Sequence, residues 1–114
     1  MLLRSVSQSR YRLNSQKDFS RIYKSGKSWH TPSFVAFFIP NSSLKIAFVA
    51  SKKLGNAVER NRAKRRLRAG LLSFQDNFIS GNYVFVAKQT IESRDFLELK
   101  KDFNFALKRL ELLK

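Results

Sequence analysis

Apolar residues recur along this chain with two periods. Phe19, Ile22 and Tyr23 stand at the i, i+3, i+4 spacing of a helix face. That helix is predicted to open at Ser15, with Asp18 placed as in a capping box, and to stop at Gly26. Phe34 to Ile39 and Leu44 to Ala50 are dense apolar runs of strand length, separated by Pro40-Asn41-Ser42-Ser43. The pattern predicts two strands joined as a hairpin. A longer helical period then runs from about Asn56 to Phe78, where Asn56 can accept the first free amides and Glu59 holds the capping-box position. Ser80-Gly81-Asn82 predicts a turn and Tyr83 to Ala87 a strand. The last helix is predicted from about Asp95 to Leu113, with Phe96, Leu99, Phe103, Leu107 and Leu110 on one face.

The predicted order is thus helix, strand, strand, helix, strand, helix. It describes an α+β fold, a single-domain α/β sandwich over residues 1–114, without repeats or internal linkers. Residues 1–14 are polar and basic with no period, and predict a loose arm. Trp29 follows Lys27-Ser28 in what reads as a loop and could face solvent or core. His30 beside it reads as a solvated loop residue. Phe34, Phe38, Phe48, Phe103 and Phe105 read as core or incidental surface.

Composition narrows the chemistry. A chain of 114 residues with 43% hydrophobic residues can fill one core. Without Cys there is no disulfide framework or thiolate zinc site, and a single His cannot build a His cluster. The longest apolar run, Phe34 to Pro40, falls far short of the roughly 18–20 residues of a membrane span. Met1-Leu2-Leu3 is too short for the apolar core of a signal peptide. These features predict a cytoplasmic protein.

Charge points to a partner. Against 23 Lys and Arg stand 8 Asp and Glu, a formal net charge of +15. Nucleic acid is the obvious polyanion. An anionic membrane is the weaker alternative, because a surface helix needs an exposed apolar face and these apolar residues are needed for the core.

The charge is concentrated between Lys52 and Arg68, where eight basic residues accompany the single acid Glu59. About half of the excess charge therefore occupies roughly a seventh of the length. On a helix, Ala63, Leu67, Gly70, Leu71, Phe74 and Phe78 fall on one stripe. Asn61, Arg62, Arg65, Arg66 and Arg68 fall on the opposite side, with Arg60 and Lys64 at the margin. A merely solvated face mixes both signs, whereas this one is nearly pure cation and mostly Arg, the residue suited to bidentate phosphate contacts. Glu59 is the only acid near enough in sequence to offset the repulsion. No helix-turn-helix frame precedes the segment, which argues against reading of the DNA major groove. A helix of this kind fits folded RNA, gripped by its backbone and shape.

At these residues the chain resembles the bacterial ribonuclease P protein family. Lys53-Leu54-Gly55-Asn56-Ala57-Val58-Glu59-Arg60-Asn61-Arg62-Ala63-Lys64-Arg65 matches the family signature K-x-G-N-A-V-x-R-N-R-x-K-R, followed by Arg68. The resemblance extends to Lys17-Asp18-Phe19 with Tyr23 and Gly26, to Phe34-Val35-Ala36-Phe37 and to Tyr83-Val84-Phe85-Val86-Ala87-Lys88. Ala69 departs from a position often occupied by Glu, and Lys88 from one where Arg is common. The resemblance implies that Lys53, Asn56, Arg60, Asn61, Arg62, Lys64, Arg65 and Arg68 dock onto a catalytic RNA subunit. It also implies that Phe19, Tyr23, Phe37, Lys52 and Lys88 hold the single-stranded 5′ leader of precursor tRNA, and that the basic helix lies in a left-handed βαβ crossover.

The leader assignment also has a physical basis. Single-stranded RNA sites combine aromatic faces with a basic groove. Phe19 and Tyr23 lie one helical turn apart, and Phe37 points opposite to Phe34, Ala36 and Phe38 along its strand. Phe19 reads equally well as core. The eight acids are scattered, five of them near or on the last helix, where they alternate with Lys and read as a solvated face. No catalytic constellation of acids and bases is visible. The resemblance implies that the RNA subunit cleaves, with Mg2+ bound mainly by the RNA, and that neither DNA nor membrane is a partner. A structural RNA-binding protein, such as a ribosomal or ribosome-assembly protein, would share the composition but not the Arg-Asn-Arg signature. A self-sufficient basic nuclease would need catalytic groups.

Overall fold

The computed structural model describes residues 16–75 and 77–114. The chain runs α1 (Gln16–Ser25), β1 (Lys27–His30), β2 (Phe34–Pro40), β3 (Lys45–Val49), α2 (Ala57–Leu72), β4 (Gly81–Ala87) and α3 (Phe96–Arg109). Short 3-10 turns occupy Lys52–Leu54 and Gln89–Glu92. The expected α+β class holds. The arm expected over 1–14 and the helix start at Ser15 lie outside the described residues, as does the side chain of Asp18.

The sheet order β1-β2-β4-β3 corrects the sequence reading twice. First, β2 and β3 do not form a hairpin. β4 lies between them, antiparallel to β2 from Phe34↔Ala87 to Pro40↔Gly81 and parallel to β3 from Lys45↔Asn82 to Val49↔Val86. The segment Pro40-Asn41-Ser42-Ser43 does reverse the chain, but across a gap of about two strand spacings, roughly 10 Å. Asn41 Nδ2 donates to Asn82 Oδ1 at 3.1 Å, fixing the linker to the strand that fills this gap. Second, Trp29 and His30 lie on β1, which pairs antiparallel with β2 from Lys27↔Phe38 to His30↔Val35. A short, polar edge strand carries no apolar alternation to announce it.

Helix ends also move inward. α2 stops at Leu72 instead of Phe78, with Ser73 Oγ donating to the Gly70 carbonyl at 2.6 Å and Gln75 at φ 56. Phe78 is buried through a β-bridge to Leu113. α3 stops at Arg109, and Glu111 turns the chain at φ 60.

Strand alternation divides the side chains between two faces. Phe34, Ala36 and Phe38 of β2, Tyr83, Phe85 and Ala87 of β4 and Ile46 of β3 form the main core with α2 and α3. α2 contributes Ala63, Leu67 and Leu71, and α3 contributes Leu99, Phe103, Ala106 and Leu107. On the opposite face Ile22 of α1 covers Ile39, Ala47 and Val84. Phe96, expected on the buried stripe of α3, is 45% exposed. It stands at the first residue of α3, directly after the N-cap Asp95.

The two helices of the main core meet at Gly70. A Cβ there would lie 2.5 Å from a ring carbon of the fully buried Phe103. Gly70→Ala should therefore destabilise despite its better helix propensity. Overpacking costs about 1–3 kcal/mol, and the propensity gain of about 1 kcal/mol only partly offsets it. Thermal unfolding should show a Tm lowered by a few degrees, and an unchanged Tm would mean that the α2–α3 spacing relaxes freely.

Tyr83 donates its phenolic O–H to the Ile79 carbonyl, and burial pushes its pKa well above the ordinary value. Since the folded state holds this proton more tightly than the unfolded chain, stability should be full below about pH 10 and fall as pH rises further. Denaturant melts of wild type and Tyr83→Phe between pH 8 and 11.5 test this, because the variant should lose part of the alkaline slope.

Candidate nucleic-acid interface

The basic helix is launched by its own sequence. Asn56 Oδ1 accepts the Glu59 amide at 2.9 Å, and Glu59 Oε1 accepts the Asn56 amide at 2.9 Å, a complete capping box. Gly55 stands at φ 141, where a side chain would be strained and would collide with the Glu59 carboxylate. Gly55 and Asn56 thus set where α2 starts and how it leaves the sheet. Of the docking residues suggested by resemblance, Asn56 has its carbonyl oxygen committed to the cap.

Ala63, Leu67, Gly70 and Leu71 are buried as expected. Arg65 projects about 180° from the centre of that stripe. Asn61, Arg62 and Arg65 are exposed, while Arg60, Lys64 and Arg68 are half-buried. Two shallow grooves share Arg65 as a wall. One is lined by Val58, Asn61, Lys64, Arg65 and Arg68, the other by Arg62, Arg65, Arg66, Ala69 and Phe96. The Arg68 guanidinium lies 5.4 Å from the centre of the Phe48 ring, which holds it along the β3 side.

Two residues depart from the expected pattern of free cations. Arg66, expected on the exposed side, is half-buried, donates from Nη2 to the Arg94 carbonyl, and keeps Nε buried without a partner among the described residues. It braces α2 rather than offering its charge. Arg62 Nη1 lies 3.7 Å from Glu92 Oε1, so Glu59 is not the only acid nearby. Glu92 arrives from the 3-10 turn after β4, beyond the reach of local sequence reading.

The acids near α3 are not a uniformly solvated face. Asp102 is 6% exposed and accepts from Ser33 Oγ at 2.7 Å, from Arg94 Nη2 at 2.8 Å and from Arg94 Nε at 3.2 Å. Arg94 Nη1 also pairs with Glu98 at 3.1 Å. The Asp102 hydrogen bond, chief among several causes, raises the Arg94 pKa above its ordinary value. This network ties the start of β2 to α3 and to the segment whose carbonyl holds Arg66. One sequence signal could have found Asp102: it falls between Leu99 and Ala106 on the apolar stripe. Arg94 and Ser33 carry no such signal.

The opposite face of the sheet gathers the aromatic residues. Phe37 lies 4.9 Å from Tyr23, edge to face, and Tyr23 lies 6.2 Å from Phe19, by ring centres. Phe19 and Phe37 are half-buried and Tyr23 is 44% exposed, so all three serve packing and surface together. Partial burial raises the Tyr23 pKa. Lys88 continues the same side of β4 as Val84 and Val86, about 13 Å along the strand from Val84, the partner of Phe37. Its Nζ donates to the Thr31 carbonyl at 2.7 Å. Lys52 and Lys53 are exposed at the same end of the sheet, because β3 and β4 are parallel. Gln89 Nε2 donates to the Lys53 carbonyl at 3.0 Å, joining the two segments.

Trp29, left open by the sequence, is half-buried and packs against the main core. Its ring lies 5.9 Å from that of the exposed Phe105, with Arg109 over both. His30 is exposed on β1 rather than in a loop. Among the described residues, no three His, Asp or Glu side chains cluster as metal ligands, and no helix is long and apolar enough to cross a membrane.

Over most of its length the chain is similar to known proteins. The family model described as Ribonuclease P matches residues 8–111. The ribonuclease P protein component of a Nitratiruptor species is 42% identical over 99 residues, covering 87% of this chain and 91% of that protein. The ribonuclease P protein component of Staphylococcus carnosus is 35% identical, covering 90% and 91%. The solved RNase P protein of Staphylococcus aureus superposes with a TM-score of 0.79 at 29% identity, covering 91% of this chain and 98% of that one. That of Thermotoga maritima gives 0.74 at 28%, covering 86% and 96%.

Removing Asp102 would leave Arg94 without its main partner and Ser33 Oγ without its acceptor. Asp102→Ala should cost about 1–3 kcal/mol of stability, since the buried Ser33 hydroxyl loses its acceptor, and loosen α2 through Arg66. Denaturant unfolding measures the loss, and a cost below about 1 kcal/mol would show that the network is dispensable.

Proposed function

The chain belongs to the ribonuclease P protein family, and from that premise we propose that it is the protein subunit of a ribonucleoprotein that removes the 5′ leader from precursor tRNA. The observation that carries the assignment of surfaces is the separation of two unlike RNA-compatible faces. The outer side of α2 presents Asn61, Arg62, Arg65 and the half-buried Arg60, Lys64 and Arg68. Arg fits the planar, bidentate grip on phosphate that a folded catalytic RNA offers. Across the sheet, Phe19, Tyr23 and Phe37 offer aromatic faces to unstacked bases of the leader. Lys88, with Lys52, supplies the cationic rim along which the leader backbone runs, and the neighbouring Lys53 extends the surface for the catalytic RNA.

In this division of labour the RNA subunit is the catalyst and holds Mg2+, the cofactor that polarises the scissile phosphate and activates water. Among the described residues, no cluster of acids fits a magnesium site. Glu59 and Asp95 cap helices, Glu92 and Glu98 pair with arginines, and Asp102 is buried in its network. What the protein contributes is positive charge and positioning, which raise substrate affinity, broaden substrate range and lower the magnesium requirement. His30 has no part in this scheme.

Cleavage of a precursor tRNA by the cognate catalytic RNA, at low magnesium with and without the protein, tests the reading. The protein should stimulate cleavage, and Arg62→Ala and Arg65→Ala should weaken that stimulation. Neutralising about six phosphates should give a log–log salt slope for RNA binding of about −4 to −5. Tyr23→Ala and Phe37→Ala should lose affinity mainly for substrates with a leader. Tight RNA binding without stimulation would instead place the chain among structural RNA-binding proteins, and cleavage without any RNA subunit would make the polypeptide itself the nuclease.

A further inference from the structure

The groove between α2 and the start of α3 differs from the rest of the basic surface in being floored by an aromatic ring. Its walls are Arg62, Arg65, Arg66, Ala69 and Phe96, enclosing about 410 Å³. A periodic reading puts Phe96 with Leu99 and Phe103 in the core, yet those two are fully buried and Phe96 is 45% exposed. Its ring therefore stands at the surface and is not used up by packing. Ala69 ends at Cβ, so nothing from that position of α2 closes the space opposite the ring.

Charge around the ring favours an anion. Lys100 Nζ lies 5.8 Å from the ring centre, and Arg65 has no side-chain partner among the described residues. The acids nearby are engaged: Asp95 accepts the Glu98 amide at 2.8 Å, Glu98 pairs with Arg94, and Glu92 faces Arg62. A ligand for this place needs a flat apolar face to lie on Phe96 and a negative group within reach of guanidinium. A nucleotide meets both needs. An apolar peptide would meet the ring but leave the cations desolvated, and a paired duplex would meet the cations but hide its base faces.

We propose that Phe96 is a stacking platform for one unpaired, splayed-out nucleotide of the catalytic RNA, whose phosphate is gripped by Arg65. The proposal rests on the subunit reading above and adds a base contact to a surface otherwise made of phosphate contacts. Such a contact makes docking depend on RNA structure, since only an extruded base can enter.

Affinity of the full chain for the cognate catalytic RNA, titrated over salt, tests it. Stacking is worth about 1–3 kcal/mol per base, so Phe96→Ala should bind about 5- to 150-fold more weakly. The log–log salt slope should stay at the wild-type value, because no phosphate contact is lost. Arg65→Ala should instead make the slope shallower by about one. Phe96→Trp should retain wild-type affinity or better, whereas Phe96→Leu, apolar but without a ring face, should weaken binding nearly as much as Ala. Thermal melts of each variant should match wild type, as expected for an exposed residue in the first turn of a helix. Wild-type affinity in Phe96→Ala or Phe96→Leu would overturn the proposal, as would a slope change in Phe96→Ala. Failure of the wild-type chain to bind the RNA would be a different result, overturning the subunit reading itself.

Discussion

Like-charge repulsion is the constraint to which the rest of this structure answers. A net charge of +15 on 114 residues opposes compaction, and several of the described acids are placed where they offset it. Glu59 closes the capping box of α2 and Asp95 caps α3, each near the positive end of a helix dipole. Glu92, Glu98 and Asp102 face arginines. Among the described residues, the one ion pair that reaches the exposed side of α2 joins Glu92 to Arg62, and Arg65 has no side-chain partner. Repulsion within the fold is thereby eased while the outer face of α2 stays largely cationic.

The sheet then separates the functional surfaces. Alternation along β2 sends Phe34, Ala36 and Phe38 to the helices and Phe37 to the other side, where Tyr23 meets it. The parallel pairing of β3 and β4 brings Lys52 and Lys88 to one end. The network of Ser33, Arg94 and Asp102 reaches Arg66 through a backbone carbonyl, so the core and the basic helix share one set of polar contacts. A buried charged cluster of this kind fixes geometry more than it adds stability.

Much of this was legible in order of locality. The cap at Asn56, the buried stripe from Ala63 to Leu71 and the inward and outward sides of β2 follow from residues a few positions apart, and the structure bears them out. What failed was whatever depended on a distant partner. Pro40 to Ser43 announces a reversal but not that β4 would enter the space beyond it. Lys27 to His30 becomes a strand only because β2 has a free edge. Arg66 read as one of the outward cations and Asp102 as a solvated charge, until tertiary contacts engaged the one and buried the other. Phe96 failed in the opposite sense, since helical spacing aligns a residue with the core without guaranteeing that the core extends beneath it.

The place of β4 also bears on how the molecule comes into being. This strand bonds to neighbours on both sides, yet it is made after both of them and after the basic helix. At typical synthesis rates, the roughly thirty residues between Val49 and Gly81 take about 2 to 6 s to appear. During that interval β2 and β3 have no central partner, and α2 has no completed sheet to pack against. Sequence-distant pairing of this sort sets the pace of folding. The arginine-rich face of α2 is thus set in place only when the strand beyond it arrives, so a nascent chain carries its concentrated positive charge before it possesses the shape of the finished surface.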